Sequence, residues 1–262
     1  MFNKIKKVAF TLAEVLIVIG IIGTVSALTV PNLLNASGDS EKITKLKITY
    51  STLDEAFQRA TSKYGNINTW CIGAGNSETC ELRFANYFIK HLKISKDCLS
   101  DVTTGINNGG CFTGHYHHDL MDNVDNYNLI NREPKIILQN GVSVAFHIEN
   151  SSCNIVNGNI DDICGEIYVD VDGPNRGAYT WGKDLFRFWL TKRGVLPEGL
   201  NGETDGSSSD IKITCFKYGF YCSSWVIKTG NMDYLKSTNY SSHPGLCPNG
   251  STQLSWEVTS CK

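Results

Sequence analysis

The chain has 262 residues, 24 of them basic and 26 acidic, giving a net charge of -2 at pH 7. That balance lacks the basic surplus that marks a nucleic-acid-binding protein, so no nucleic-acid partner is evident. The length suits one globular domain of about 200 residues behind an N-terminal segment.

Lys4, Lys6 and Lys7 precede a run from Val15 to Gly38 without a charged residue, 24 positions in all. As a helix such a run would span roughly 36 Å, enough to cross a bilayer. Basic residues on the short N-terminal side favour keeping that end in the cytoplasm. Glu14 stands at the start of the apolar run, where a carboxylate is costly unless it has a partner.

The order Lys7-Val8-Ala9-Phe10-Thr11-Leu12-Ala13-Glu14, followed by the apolar run, resembles the class III leader of type IV pilins and type II secretion pseudopilins. The resemblance covers the first thirty-odd residues. It implies a leader of residues 1–9, cut by prepilin peptidase after Ala9, and methylation of the new amine on Phe10. Ala9 stands where glycine is commonest in that family. Glu14 would pair with the N-terminal amine of a neighbouring subunit, and Pro31 matches a proline that kinks the family's helix. The implied partners are identical or related subunits, the peptidase and an assembly platform in the inner membrane. The implied location is a single pass of the inner membrane with the head outside the cytoplasm, then a periplasmic or extracellular filament. An ordinary secretory signal is the competing reading: Val25-Ser26-Ala27 fits a small-x-small cleavage site, and the mature chain would then begin at Leu28. An uncleaved anchor, with Glu14 at headgroup level, is another.

After Asp39, apolar residues recur at Ile43, Leu46, Tyr50, Leu53, Phe57, Ala60 and Tyr64, the spacing of an amphipathic helix that Gly65 would cap. A short helix is expected around Leu82 to Leu92. Lys135 to Ile148 reads as two strands joined by an Asn140-Gly141 turn, with further strands at Glu166–Val171 and Asp184–Thr191. Gly202 to Ser209 reads as a polar loop. Ser223 to Lys228 fits helix or strand. The fold class expected is α+β: a long N-terminal transmembrane and amphipathic helix (10–64, apolar over 10–36) packed on an antiparallel sheet, pilin-like, with a disulfide-rich head over 65–262.

All ten cysteines lie beyond the apolar run. An even number confined there points to disulfides in an oxidising compartment. The simplest pairing is sequential: Cys71 with Cys80, Cys98 with Cys111, Cys153 with Cys164, Cys215 with Cys222 and Cys247 with Cys261. A zinc site is the competing reading, but no C-x-x-C occurs.

Asp170, Asp172, Asn175 and Asp184 put several oxygen ligands around one turn, the donor type calcium uses. They also fit a plain turn after a strand. His115-Tyr116-His117-His118 reads as solvated loop histidines. Trp181, Phe186, Phe188 and Trp189 could offer a carbohydrate or nucleobase platform, though aromatic residues on a strand usually belong to a core. No nucleophile, metalloprotease, phosphate-loop or dinucleotide motif occurs, so the chain is not expected to be an enzyme. The function expected is a structural filament subunit, pilin or pseudopilin. The alternative is an exported disulfide-rich binding domain or enzyme with a conventional signal or a single anchor.

Overall fold

The structure, a computed structural model, describes residues 12–71, 77–98, 110–112, 117–125, 134–174, 179–199 and 210–261, and the backbone alone at 25–37, 77, 78 and 212. The chain divides into two compact units, Met1–Glu41 and Lys42–Lys262. Its elements in order are α1 (Leu12–Tyr64), α2 (Ser77–Ile89), β1 (Ile94–Asp97), β2 (His117–His118), β3 (Val124–Asp125), β4 (Lys135–Leu138), β5 (Ser143–Ile148), β6 (Ile155–Asn157), β7 (Ile160–Asp170), β8 (Tyr179–Thr180), β9 (Leu185–Thr191), β10 (Val195–Pro197), α3 (Ile211–Thr214) and α4 (Cys222–Thr229).

In the first unit, Leu12, Val15, Leu16, Ile17, Val18, Ile19, Ile21 and Ile22 are exposed side chains of α1. Glu14 is in the first turn and is also exposed. Ala9 and Phe10 lie outside the described residues. Pro31 falls within the span of α1, where only the backbone is described.

The expected transmembrane helix must be corrected. Among the described residues no helix is long and apolar enough to cross a membrane. α1 has 53 residues, but its later part is rich in charge and belongs to the second unit. The location expected above, a single pass of the inner membrane, is therefore not supported.

The second unit is built on a seven-stranded sheet in the order β1-β4-β5-β7-β9-β10, with β6 also paired to β7, all antiparallel. A small sheet, β3-β2-β8, includes one parallel pair, β2 with β8. The hairpin at Asn140-Gly141 forms as the dipeptide predicts: Gly141 has φ 82°, and the Leu138 amide donates to the Val142 carbonyl at 2.9 Å. β7 is longer than expected, beginning at Ile160 instead of Glu166.

Side chains alternate across a strand, so one face carries Val144, Phe146, Ile167, Val169, Phe186, Phe188 and Leu190. These join Leu46, Leu53, Ala56, Phe57 and Ala60 of α1 and Phe84 and Phe88 of α2 in the main core. Phe84 and Phe88 meet Phe146 at ring-centroid distances of 6.1 and 5.5 Å. Gly65 ends α1 with φ 81°, its amide donating to Thr61 O at 3.0 Å, the expected C-terminal cap. The Ser223–Lys228 stretch resolves as helix, within α4.

All five sequential disulfides form, and no cysteine is free. Each spans between 7 and 14 residues of sequence. Cys98–Cys111, with Phe112, packs against Tyr168, Tyr179, Trp181 and Leu185 on the other face of the sheet. Gly219 approaches that face so closely that a Cβ would lie 2.0 Å from the Trp181 carbonyl oxygen, and its φ of +86° also calls for glycine.

Candidate functional site

On the second face of the sheet, register sets Tyr168 opposite Arg187 and Glu166 opposite Trp189. Four polar or aromatic side chains of β7 and β9 thus share one patch, and Arg187 is its centre. Its guanidinium donates to the Glu166 carboxylate at 3.1 Å and forms an ion pair with Glu198, which follows β10. Glu166 also accepts a hydrogen bond from the Tyr168 hydroxyl. Three rings surround the cation, with the Arg187 Cζ 5.8 Å from the Trp181 ring, 5.3 Å from Trp189 and 5.6 Å from Tyr221.

Burial works against the Arg187 charge, but Glu166 and Glu198 outweigh it, so its pKa stands above the ordinary arginine value. The Tyr168 hydroxyl is driven well above its ordinary pKa, first by burial and then by the Glu166 charge. It is a neutral donor at any physiological pH.

α4 holds the assembly from the edge. The Ser223 hydroxyl donates to the Arg187 carbonyl at 2.6 Å and accepts from the Arg187 amide at 3.2 Å, while the Ser224 amide donates to the Glu198 carbonyl at 2.9 Å. Tyr221, just before α4, has φ 61°, a left-handed backbone that costs a non-glycine residue about 1 kcal/mol. That conformation accompanies a ring laid over the Arg187 guanidinium. The Arg187 Nε and the indole N–H groups of Trp181 and Trp189 have no acceptor among the described residues. Chemically this is a cation already claimed by two carboxylates.

The carboxylates predicted as calcium ligands are partly brought together. Asp170 and Asp184 are both buried, and Asp170 is in register with Leu185, the residue after Asp184. Asp172 is turned to α1 instead, where it pairs with Lys42 at 2.8 Å. Asn175 lies outside the described residues. Among the described residues no group of three or more His, Cys, Asp or Glu is placed to hold a metal ion. Burial raises the Asp184 pKa to about 6, against an opposing hydrogen bond from the Thr180 amide at 2.5 Å. Asp170 is raised well above the ordinary range by burial and then by the Asp184 charge, and its Oδ2 has no hydrogen-bond partner among the described residues.

His117 departs from the expected solvated loop. It is buried in β2, edge-on to Trp181 at 5.7 Å and to Tyr179 at 6.1 Å. His118 Nδ1 lies 3.0 Å from Asp122, and His115 and Tyr116 are outside the described residues. The aromatic group read together in the sequence separates. Phe186 and Phe188 enter the main core, while Trp181 and Trp189 join the arginine cluster.

Arg187, Glu166, Glu198 and Tyr168 were not singled out by the sequence. The signal available was the polar residue at every second place in Glu166-Ile-Tyr168 and Phe186-Arg187-Phe188, a period-two pattern inside otherwise apolar strands. No protein-family model matches the chain, nor does any curated protein or solved structure.

Proposed function

We propose that the chain is an exported structural protein, a filament subunit of the type IV pilin or type II secretion pseudopilin class, processed by prepilin peptidase. The observation that supports this reading is the apolar start of α1. Eight large hydrophobic side chains between Leu12 and Ile22 are exposed on it, with Glu14 among them. An apolar stretch of that size is costly in water, and the same stretch of a neighbouring subunit is an occupant of matching chemistry. Glu14 would then meet the amine of Phe10 from a neighbour, since an apolar bundle penalises an unpaired charge and a paired one can fix register.

The experiment is mass spectrometry of the mature N-terminus from the exported protein. Methylated Phe10 agrees with the proposal, and Leu28 refutes it. Glu14→Ala, in cells without the wild-type chain, should leave the head folded and exported while sharply reducing filaments. Normal filament numbers would remove the role of Glu14.

The findings on the head weigh more toward a second reading, an exported disulfide-rich binding domain or enzyme delivered by a conventional signal. Its supports are the five closed disulfides, the aromatic cage around Arg187, and the lack, among the described residues, of a helix fit to cross a membrane. A mature chain beginning at Leu28 would favour it.

A further inference from the structure

We propose that the surface where α1 and α2 both end binds a phosphodiester polymer through Arg59, Lys63, Lys90 and His91, independently of the filament reading. Arg59 and Lys63 lie in the last turns of α1, and Lys90 and His91 directly follow α2. The two helix ends are joined by a face-to-face stack of Tyr64 and Tyr87, ring centroids 4.1 Å apart and planes 9° from parallel. Lys63 Nζ lies 5.3 Å and Lys90 Nζ 5.7 Å from the centre of the Tyr64 ring, and His91 meets the same ring edge-on at 6.2 Å.

The lysines are therefore placed by a ring and not by a carboxylate. Among the described residues neither has an acidic partner, and their charges are open to an external anion. Arg59 is the exception, bonded to Glu55 at 2.5 Å with both side chains exposed, a pair that an incoming phosphate can replace. Cations also complement the negative end of a single helix. Here two such ends converge, and the concentration of charge exceeds what either helix requires.

His91 reports the resulting field. Its pKa is lowered by partial burial and then by Lys63, Arg59 and Lys90, the charged groups facing it from α1 and from its own segment. It is neutral at pH 7 and gains a fourth positive charge on acidification. A phosphodiester keeps its charge through that change, whereas a polymer of carboxylates begins to lose its own near pH 4 to 5. Phosphate recognition therefore strengthens on acidification across the His91 titration.

The test uses the full chain and fluorescence anisotropy with three probes: a short oligothymidylate, a poly(glycerol phosphate) and polyglutamate. Both phosphate polymers should bind. Oligothymidylate binding should weaken about twenty-fold between 50 and 200 mM salt for three phosphates neutralised, at about 0.7 log units of affinity per log unit of salt per phosphate. Affinity should rise as pH falls below the ordinary histidine value of 6.5 and through the lowered His91 titration. His91→Gln should remove that rise. Lys63→Glu with Lys90→Glu should lose at least tenfold on the order of the charge effects above, and Lys47→Glu, elsewhere on α1, should bind as wild type. Binding of oligothymidylate alone would overturn the proposal, since recognition would then rest on the bases and not on the shared phosphodiester. No binding by either phosphate polymer, polyglutamate binding as tightly as they do, or an unchanged double variant would each overturn it. Equal melting temperatures would confirm that the variants are folded, and the His91→Gln comparison stands without the double variant.

Discussion

Tyr50 of α1 and Phe188 of β9 stack face to face, their ring centroids 5.6 Å apart and their planes 8° from parallel. This contact joins the second half of the helix to the middle of the sheet, and Phe188 has no exposure to solvent. Phe188→Ala should destabilise the second unit by about 3–5 kcal/mol, the usual cost of removing a buried aromatic side chain. Urea unfolding followed by tryptophan fluorescence would measure it. A loss under about 1 kcal/mol would show that the helix does not depend on this contact.

Breaking the arginine cluster from its centre should be more damaging than replacing it whole. Arg187→Met leaves Glu166 and Glu198 without their shared cation, and the removal of one partner from a buried pair costs about 3–5 kcal/mol. Adding Glu166→Gln and Glu198→Gln should restore part of that loss. If the triple variant is no more stable than Arg187→Met, the damage comes from packing against Trp181, Trp189 and Tyr221, and not from charge.

Acidification should stabilise the head between about pH 4 and pH 6. The folded chain holds a proton on Asp184 up to a pKa of about 6, whereas the unfolded chain releases it near the ordinary 3.8. A group whose folded pKa is raised contributes stability below the unfolded value and loses it as pH rises through the folded one. The loss from Asp184 is about 3 kcal/mol across the window, and Asp170, raised for the same first reason, acts in the same direction. Asp184→Asn keeps an acceptor for the Thr180 amide and should flatten the dependence. Thermal melts of wild type and variant at several pH values would compare them. An equally steep slope in the variant would assign the effect elsewhere.

Removing one disulfide by a paired change, Cys215→Ser with Cys222→Ser, should cost about 2–3 kcal/mol if the bridge acts by restricting the unfolded chain. Cys222 opens α4, which holds Ser223 on Arg187, so the same variant should also loosen the cluster. Hydrogen exchange at the Arg187 amide would show this as lost protection. Retained protection would separate the bridge from the cluster.

The parts of this fold legible in the sequence are those governed by neighbours along the chain. Asn140-Gly141 specifies its turn whatever surrounds it, and the cysteines pair with the nearest partner. The apolar positions from Ile43 to Tyr64 declare one helical face. Arg187 was not legible, because alone it is one cation in an aromatic strand. Its role appears only when register brings Glu166 and Tyr168 alongside and Glu198 arrives from beyond β10. The Asp170 turn was legible as acidic but not as buried, since burial depends on how the following chain returns over it.

The five bridges are local and non-overlapping, and each closes before the next one opens along the chain. In a chain threaded N-terminus first through a pore, the second cysteine of every pair would emerge before any cysteine of the following pair. The correct partner is then the first one available, and oxidation can keep pace with emergence. Slow reshuffling of wrong bridges, which takes seconds to hours, is avoided by the order of the cysteines alone.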